Sequence, residues 1–310
     1  MAVSKKVDVY SMVTDRVVEL LEAGTVPWRK PWKGQNLHPC NGRSGAKYRG
    51  INPFMLEMTR SCEGYDDHRW LTYRQAKEAG GNVRKGERST LVVFWKWFEA
   101  TDKETGKVKQ IPCLKYFRVF NADQCDGLDE SKLKAETDDY TPTEWGAIEA
   151  AEQIAADWLA SSGIGDRIEH GGNRAVYRPG TDSLGMPDRD RFEVPAEYYS
   201  TLFHEMTHST GHESRLNRFQ ASEFGNEAYA KEELVAEMGA AFLCGECGIE
   251  GRTIENSAAY LQGWLKALKN DKRLVASAAG AAQKAADLII GRTFGQPAED
   301  DAQQPRTVGV

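Results

Sequence analysis

Val9, Val13, Val17, Leu20 and Leu21 recur at three- and four-residue intervals, which predicts an amphipathic helix closed by Gly24. The stretch "GTVPWRKPW" that follows is too proline-broken for regular structure, and "NGRSGAKYRGINP" reads as a second loop. Short helices are expected around Phe54–Arg60 and Tyr73–Ala79, the second running into the turn "AGGNVRKGERS". After it, "STLVVFWKWFEA" is β-branched and aromatic with partial alternation. The polar turn "TDKETGK" and the strand-like "VKQIPCLKYFRVFNADQC" complete an α+β unit over residues 1–125. Residues 126–142, "DGLDESKLKAETDDYTP", are acidic and poor in apolar side chains, the composition of a linker.

The remainder is mostly helical. Trp145, Ile148, Ala151, Ala155, Trp158 and Leu159 recur at helical spacing, and "RAVYRPG" is short enough only for a strand. A helix is expected from Pro195, a good first-turn residue, to Gly211. "KEELVAEMGAAFLCGECG" places Leu234, Val235, Met238, Ala241 and Phe242 on one face. Two further helices are predicted, over about 254–270 and 273–290. This second domain spans 143–292, and 293–310 read as a disordered tail. No internal repeat is visible.

Composition narrows the class. With 310 residues, 40% apolar and 28% charged, the chain suits two globular domains, each with its own core. No run approaches the roughly 18 apolar residues of a membrane span, and "MAVSKKVDVYSMV" lacks the pattern of a secretory signal, so a cytoplasmic protein is expected, with a monomer as the working expectation. Among six cysteines only Cys244 and Cys247 form a CxxC, without the second pair that a structural zinc site needs. They read as reduced thiols.

Charge separates the halves. Residues 1–128 hold 22 Lys and Arg against 15 Asp and Glu, a balance of +7; since the whole chain is at −6, the rest carries −13. Five of the eight tryptophans, Trp28, Trp32, Trp70, Trp95 and Trp97, also lie in the basic part. A charge split of this kind suggests that the basic half faces a polyanion, and its interleaved aromatics are compatible with stacked bases. The candidate contacts are Trp28, Arg29, Lys30, Trp32 and Lys33; Arg43, Lys47, Tyr48 and Arg49; Arg84, Lys85 and Arg88; and Trp95, Lys96 and Trp97.

The chemistry centres on "YYSTLFHEMTHSTGHESRLNR", residues 198–218. An HExxH on a helix sets His204 and His208 one turn apart, so both imidazoles reach one metal, and Glu205 falls beside the open position. A third ligand is needed. His212 follows His208 by four residues, whereas the long HExxHxxGxxH motif requires six, which makes it a poor candidate. Glu233 and Glu237, four apart on the next helix, stack on one face together with Ala236 and Ala240. Their spacing resembles the ExxxD/E of zincin metalloproteases. Carried over, Glu233 is the third ligand and Glu237 supports His204 or His208. Glu205 is then the general base toward water, and Tyr260, with Tyr229 behind it, is the candidate donor to the developing oxyanion. Two imidazoles and a carboxylate suit Zn2+, with Mn2+ or another divalent metal as alternatives.

Together these stretches resemble the ArdC-type antirestriction proteins of conjugative plasmids, from about residue 5 to 290. "GTVPWRKPW", "YRGINPFML", "GGNVRKGERSTLVVFW", "VFNADQCDGL", "LFHEMTHSTGHESRLNR", "KEELVAEMGAAFLC" and "NSAAYLQGWLKALKND" carry the likeness. It implies an N-terminal α+β domain binding single-stranded DNA, then a mostly helical zincin-like metallopeptidase domain, in a protein that shields incoming plasmid DNA from host restriction. The N-terminal part also resembles a segment of some plasmid-encoded primases. The two-domain plan is similar to that of Spartan-type proteases, which cut DNA-bound proteins. Two readings stay open: a metallopeptidase directed to proteins near DNA, and a non-proteolytic DNA shield whose metal site is structural or vestigial.

Overall fold

The computed structural model describes residues 8–24, 26, 28, 38–101, 108–134, 144–164, 168–219, 226–249 and 258–292. Within these, 95–101, 108–113, 144–147, 226–227 and 258–261 are described as backbone alone. The N-terminal half opens with α1 (Val9–Glu22), whose first turn is capped by the Asp8 carboxylate accepting from the Tyr10 N–H at 3.1 Å. β1 (Cys40–Asn41) and α2 (Asn52–Glu63) follow, α2 with Pro53 in its first turn and a left-handed Gly64 at its end. Then come β2 (Arg69–Leu71) and α3 (Tyr73–Glu78), the latter closed by a Thr72–Gln75 capping box. β3 (Asn82–Val83), β4 (Thr90–Thr101), β5 (Val108–Asn121) and β6 (Cys125–Asp126) complete this half.

β4 and β5 form a long antiparallel hairpin, in register from Thr90 opposite Val119 to Thr101 opposite Val108. They sit at one side of a four-stranded sheet of order β1-β2-β5-β4, while β3 and β6 pair separately. Alternation along the hairpin explains the layering. Val92 and Val119 face a cluster with Tyr48, Leu56 and Trp70, whereas Val93 and Leu114 face the main core. Residues 126–134, acidic though they are, fold onto this half. The Asp129 N–H donates to the Ala79 carbonyl at 2.9 Å, Lys134 N–H to Gly42 at 2.8 Å, and Leu133 is buried beside Leu71 and Ala76. Two buried apolar contacts and a pairing strand there outweigh polar composition; residues 135–143 lie outside the described set.

The second half contains α4 (Glu144–Ser162), β7 (Ile168–His170), β8 (Val176–Arg178), β9 (Ser183–Met186), α5 (Pro195–Ser209), α6 (Asn226–Cys247), α7 (Ala258–Asn270) and α8 (Leu274–Ile289). Its sheet has the order β7-β9-β8, with β7 parallel and β8 antiparallel to β9. β1, β2, β3, β6, β7 and β9 are two to four residues long, too short for periodicity to reveal. Among the described residues no helix is long and apolar enough to cross a membrane. Cys244 and Cys247 are free thiols buried on α6, and burial pushes Cys244 up to about 12, away from reactivity at neutral pH.

The two halves share one core, where length alone allowed each its own. Val13 and Val17 of α1 join Leu268, Val275 and Ala279 in the largest apolar cluster, and Phe54 of α2 stacks on Phe242 of α6 at 4.8 Å. Polar ties reinforce this: the Thr14 hydroxyl donates to the Lys272 carbonyl at 2.7 Å, and the Gly50 N–H to Gln283 Oε1 at 3.2 Å. Phe54→Ala is therefore expected to cost about 3–5 kcal/mol. It should lower the urea midpoint of helix content and tryptophan emission together. Two separated transitions, with only one moved, would show that the halves unfold independently.

Candidate metal centre

α5 and α6 meet through small and shape-matched side chains. A Cβ on Gly239 would lie 2.5 Å from Thr207 Cγ2, so only glycine lets the helices approach this closely. Ala236 and Ala240 are buried beside it. Across this contact His204, His208 and Glu233 converge, one ligand atom from each lying within 4.8 Å of the others. The two Nε2 atoms are 3.1 Å apart. Glu233 Oε2 is 3.6 Å from His204 Nε2, and its Oε1 is 3.4 Å from His208 Nε2. This donor set, two imidazoles and one carboxylate on rigid helices, fits a borderline divalent cation.

Each imidazole turns its other nitrogen to a carboxylate. His204 Nδ1 is 3.7 Å from Glu237 Oε1, and His208 Nδ1 is 3.5 Å from Glu232 Oε1. Glu232 is itself forked by Arg218, at 3.1 Å from Nε and 2.6 Å from a terminal nitrogen. Arg218 also donates to the Thr210 hydroxyl at 2.6 Å and the Thr207 carbonyl at 2.9 Å, so the segment after α5 braces the site. Helical spacing points to Glu237 and gives no sign of Glu232 or Arg218 as partners of the histidines. The adjacent pair in "KEEL" was the available signal, but only packing shows that both carboxylates turn toward α5.

The electrostatics are strongly coupled. Burial alone would push His208 down, but hydrogen bonds to Glu232 and Glu233 hold its pKa well above the ordinary imidazole value. Burial would raise Glu233, yet His204 and His208 pull it far below the usual carboxylate range. Glu232 is likewise lowered against the burial penalty, by His208 and Arg218. Glu205, 7% exposed, stands next to His204 on α5 and adds its charge to the field at His208.

His212 lies apart from this cluster. α5 ends at Ser209, and Arg215 draws the next turn away by donating to the Ser209 carbonyl at 2.7 Å and the Ser162 carbonyl at 2.9 Å while pairing with Asp182. His212 Nδ1 faces the Ser214 hydroxyl at 2.8 Å instead. Tyr229 is 52% exposed one turn before Glu233, and Tyr260 lies on α7 where only the backbone is described.

The candidate DNA contacts are dispersed by the fold. Trp28 is 4% exposed and packs edge-on against Trp264 at 5.4 Å, so it belongs to the core rather than to an open stacking surface. Tyr48 is buried too. A large aromatic repays burial more than any lysine beside it. Arg43 is half-buried and donates to the Lys132 carbonyl, Lys47 is exposed, and Arg49 pairs with the buried Asp287 of α8. Arg84 pairs with Glu87 at 2.9 Å, while Lys85 and Arg88 are exposed. Arg29, Lys30, Trp32 and Lys33 lie outside the described residues, as do the side chains of Trp95, Lys96 and Trp97.

Loss of the Glu232 carboxylate should loosen the site without dismantling it. Glu232→Gln is expected to weaken metal affinity about 10–100-fold. Titration of metal-free protein with Mn(II), followed by electron paramagnetic resonance, measures this; unchanged affinity would make the Arg218–Glu232 brace irrelevant to the site.

Known proteins resemble the chain in sequence and fold. Residues 7–120 match the N-terminal domain of the anti-restriction factor ArdC, and residues 152–281 match a zincin-like metallopeptidase family. The crystal structure of the antirestriction ArdC protein from plasmid R388, metal-free, is 42% identical over 97% of this chain and all of that one, with a TM-score of 0.72. Its Mn(II)-bound form is 43% identical over 91% of this chain and 97% of that one, also at 0.72. The uncharacterised protein y4eC of Sinorhizobium fredii is 36% identical over 98% of this chain and 96% of its own length. A DNA primase TraC of Escherichia coli is 40% identical over 95% of this chain, which spans only 28% of that primase.

Proposed function

Because the chain belongs to the ArdC-type antirestriction proteins and carries their zincin-like domain, we propose that it is a metal-dependent peptidase that binds single-stranded DNA and guards incoming plasmid DNA against restriction. The observation that carries the enzymatic part is the convergence of His204, His208 and Glu233 with Glu205 adjacent on α5. A structural metal site has no use for a carboxylate at that position. A divalent cation held by the three residues, Zn2+ or the Mn2+ found in the R388 relative, would polarise a scissile carbonyl and acidify the attacking water. Glu205 would be the base that takes a proton from the attacking water and returns it to the leaving amine. Glu237 and Glu232 lie at the Nδ1 atoms of the two imidazoles, whose Nε2 atoms turn toward Glu233, the arrangement that would hold such a cation. Tyr229, exposed at the start of α6, and Tyr260 of α7 are the candidates for hydrogen bonding the oxyanion.

The DNA-binding part rests on the +7 balance of residues 1–128 and on the family match there. Its partner is single-stranded DNA, and its substrate would be a protein bound to that DNA. The test uses the full chain with Mn2+ or Zn2+, a labelled oligonucleotide and mixed DNA-binding proteins. Expected are oligonucleotide binding that weakens steeply with salt and new peptide termini that appear only with metal. Binding without cleavage of any protein would favour the non-proteolytic shield; the buried Glu205, next to His204 on α5, supports the peptidase instead.

A further inference from the structure

One face of the β4–β5 hairpin is covered at one end only. Thr90, Val92 and Phe94 stand opposite Val119, Phe117 and Lys115, and directly opposed residues of an antiparallel pair share a face. Val92 and Val119 are buried under Leu56 and Trp70. Two residues further along β4 the cover ends: Phe94 and Phe117 are half-buried, with ring centroids 5.6 Å apart in an edge-to-face pair. The buried ring of Tyr48 backs Phe94 at 6.1 Å. Lys115, directly across from Phe94, is exposed, and β4 forms the edge of the sheet.

We infer that Phe94 and Phe117 form a base-stacking platform for single-stranded nucleic acid, with Lys115 directed to the phosphodiester backbone. This rests on the DNA-binding reading above and supplies it with rings, since Trp28 and Tyr48 are spent in the core. Strand backbone holds both rings, Tyr48 backs Phe94 and Phe94 in turn meets Phe117, so stacking on them costs little ordering. Partly exposed aromatics on a sheet face, beside a cation, are how single-stranded nucleic acid is held without base preference. Exposed Lys115 on the face, in a segment (residues 1–128) with 22 basic against 15 acidic residues, favours a polyanion over a neutral or basic partner.

The test measures binding of fluorescein-labelled oligo(dT) to the full-length protein by anisotropy across a salt series. Phe94→Leu and Phe117→Leu keep apolar volume and remove the π face. Each is expected to lose about tenfold to a hundredfold in affinity with the melting temperature and salt slope kept, and Trp at either position to restore binding. Lys115→Gln should instead reduce the slope of log affinity against log salt by about 0.7. Folded leucine variants that bind like wild type would overturn the platform while leaving the DNA reading intact. A wild-type protein that ignores oligo(dT) at low salt removes both. Should leucine unsettle the fold, ultraviolet crosslinking of the wild type to bromodeoxyuridine DNA decides: crosslinks in β4 and β5 support the platform, and crosslinks confined elsewhere overturn it.

Discussion

Alanine in place of His204, His208 or Glu233 is expected to strip the divalent metal from an otherwise folded protein, whereas His212→Ala leaves it bound. The three side chains offer ligand atoms within 4.8 Å of one another, while His212 faces Ser214. Loss of a ligand should weaken binding by more than about a hundredfold, the upper end of what losing a mere supporting partner costs. Metal content after dialysis, by elemental analysis, is the measurement. Equal loss from His212→Ala would overturn the choice of third ligand. The same site predicts a pH dependence. His208 is held protonated above the ordinary imidazole value by Glu232 and Glu233, and a cation must displace that proton. Metal affinity should therefore rise with pH, by about tenfold per unit for one displaced proton, and fall as the solution is acidified. A calorimetric titration in buffers of different ionisation enthalpy would detect the released proton.

Glu205→Gln should separate holding the metal from using it. Glu205 is outside the convergent set, so the amide should leave metal content and oligonucleotide affinity unchanged. Without a general base, hydrolysis should fall by about 10²–10⁴-fold. The decisive readout is plasmid survival after conjugation into a restricting cell. Protection lost while DNA binding persists makes peptide hydrolysis the working step. Protection equal to wild type would assign it to DNA binding alone, and the shield reading would replace the peptidase in that role.

Long elements were legible because their periodicity is written in consecutive residues. α1 runs Val9–Glu22 and α5 begins at Pro195, where the apolar spacing and the proline put them. The β4–β5 hairpin follows its β-branched and aromatic runs. The spacing of His204 and His208 likewise forces both rings to one side of one helix. Choices that depend on a second element were not in the pattern. Nothing in "KEELVAE" says that Glu232 also turns toward α5, because that needs Arg218 from the returning loop and the close contact of Gly239 with Thr207. Nothing in "PWRKPW" says that Trp28 buries itself on Trp264, 236 residues away along the chain (264 − 28). Residue type and local spacing set secondary structure and the chemistry on offer, since both act within a turn or two. Which aromatics stay open, which carboxylates face the histidines and whether two halves share a core depend on contacts between distant segments, and those exist only once the chain has packed.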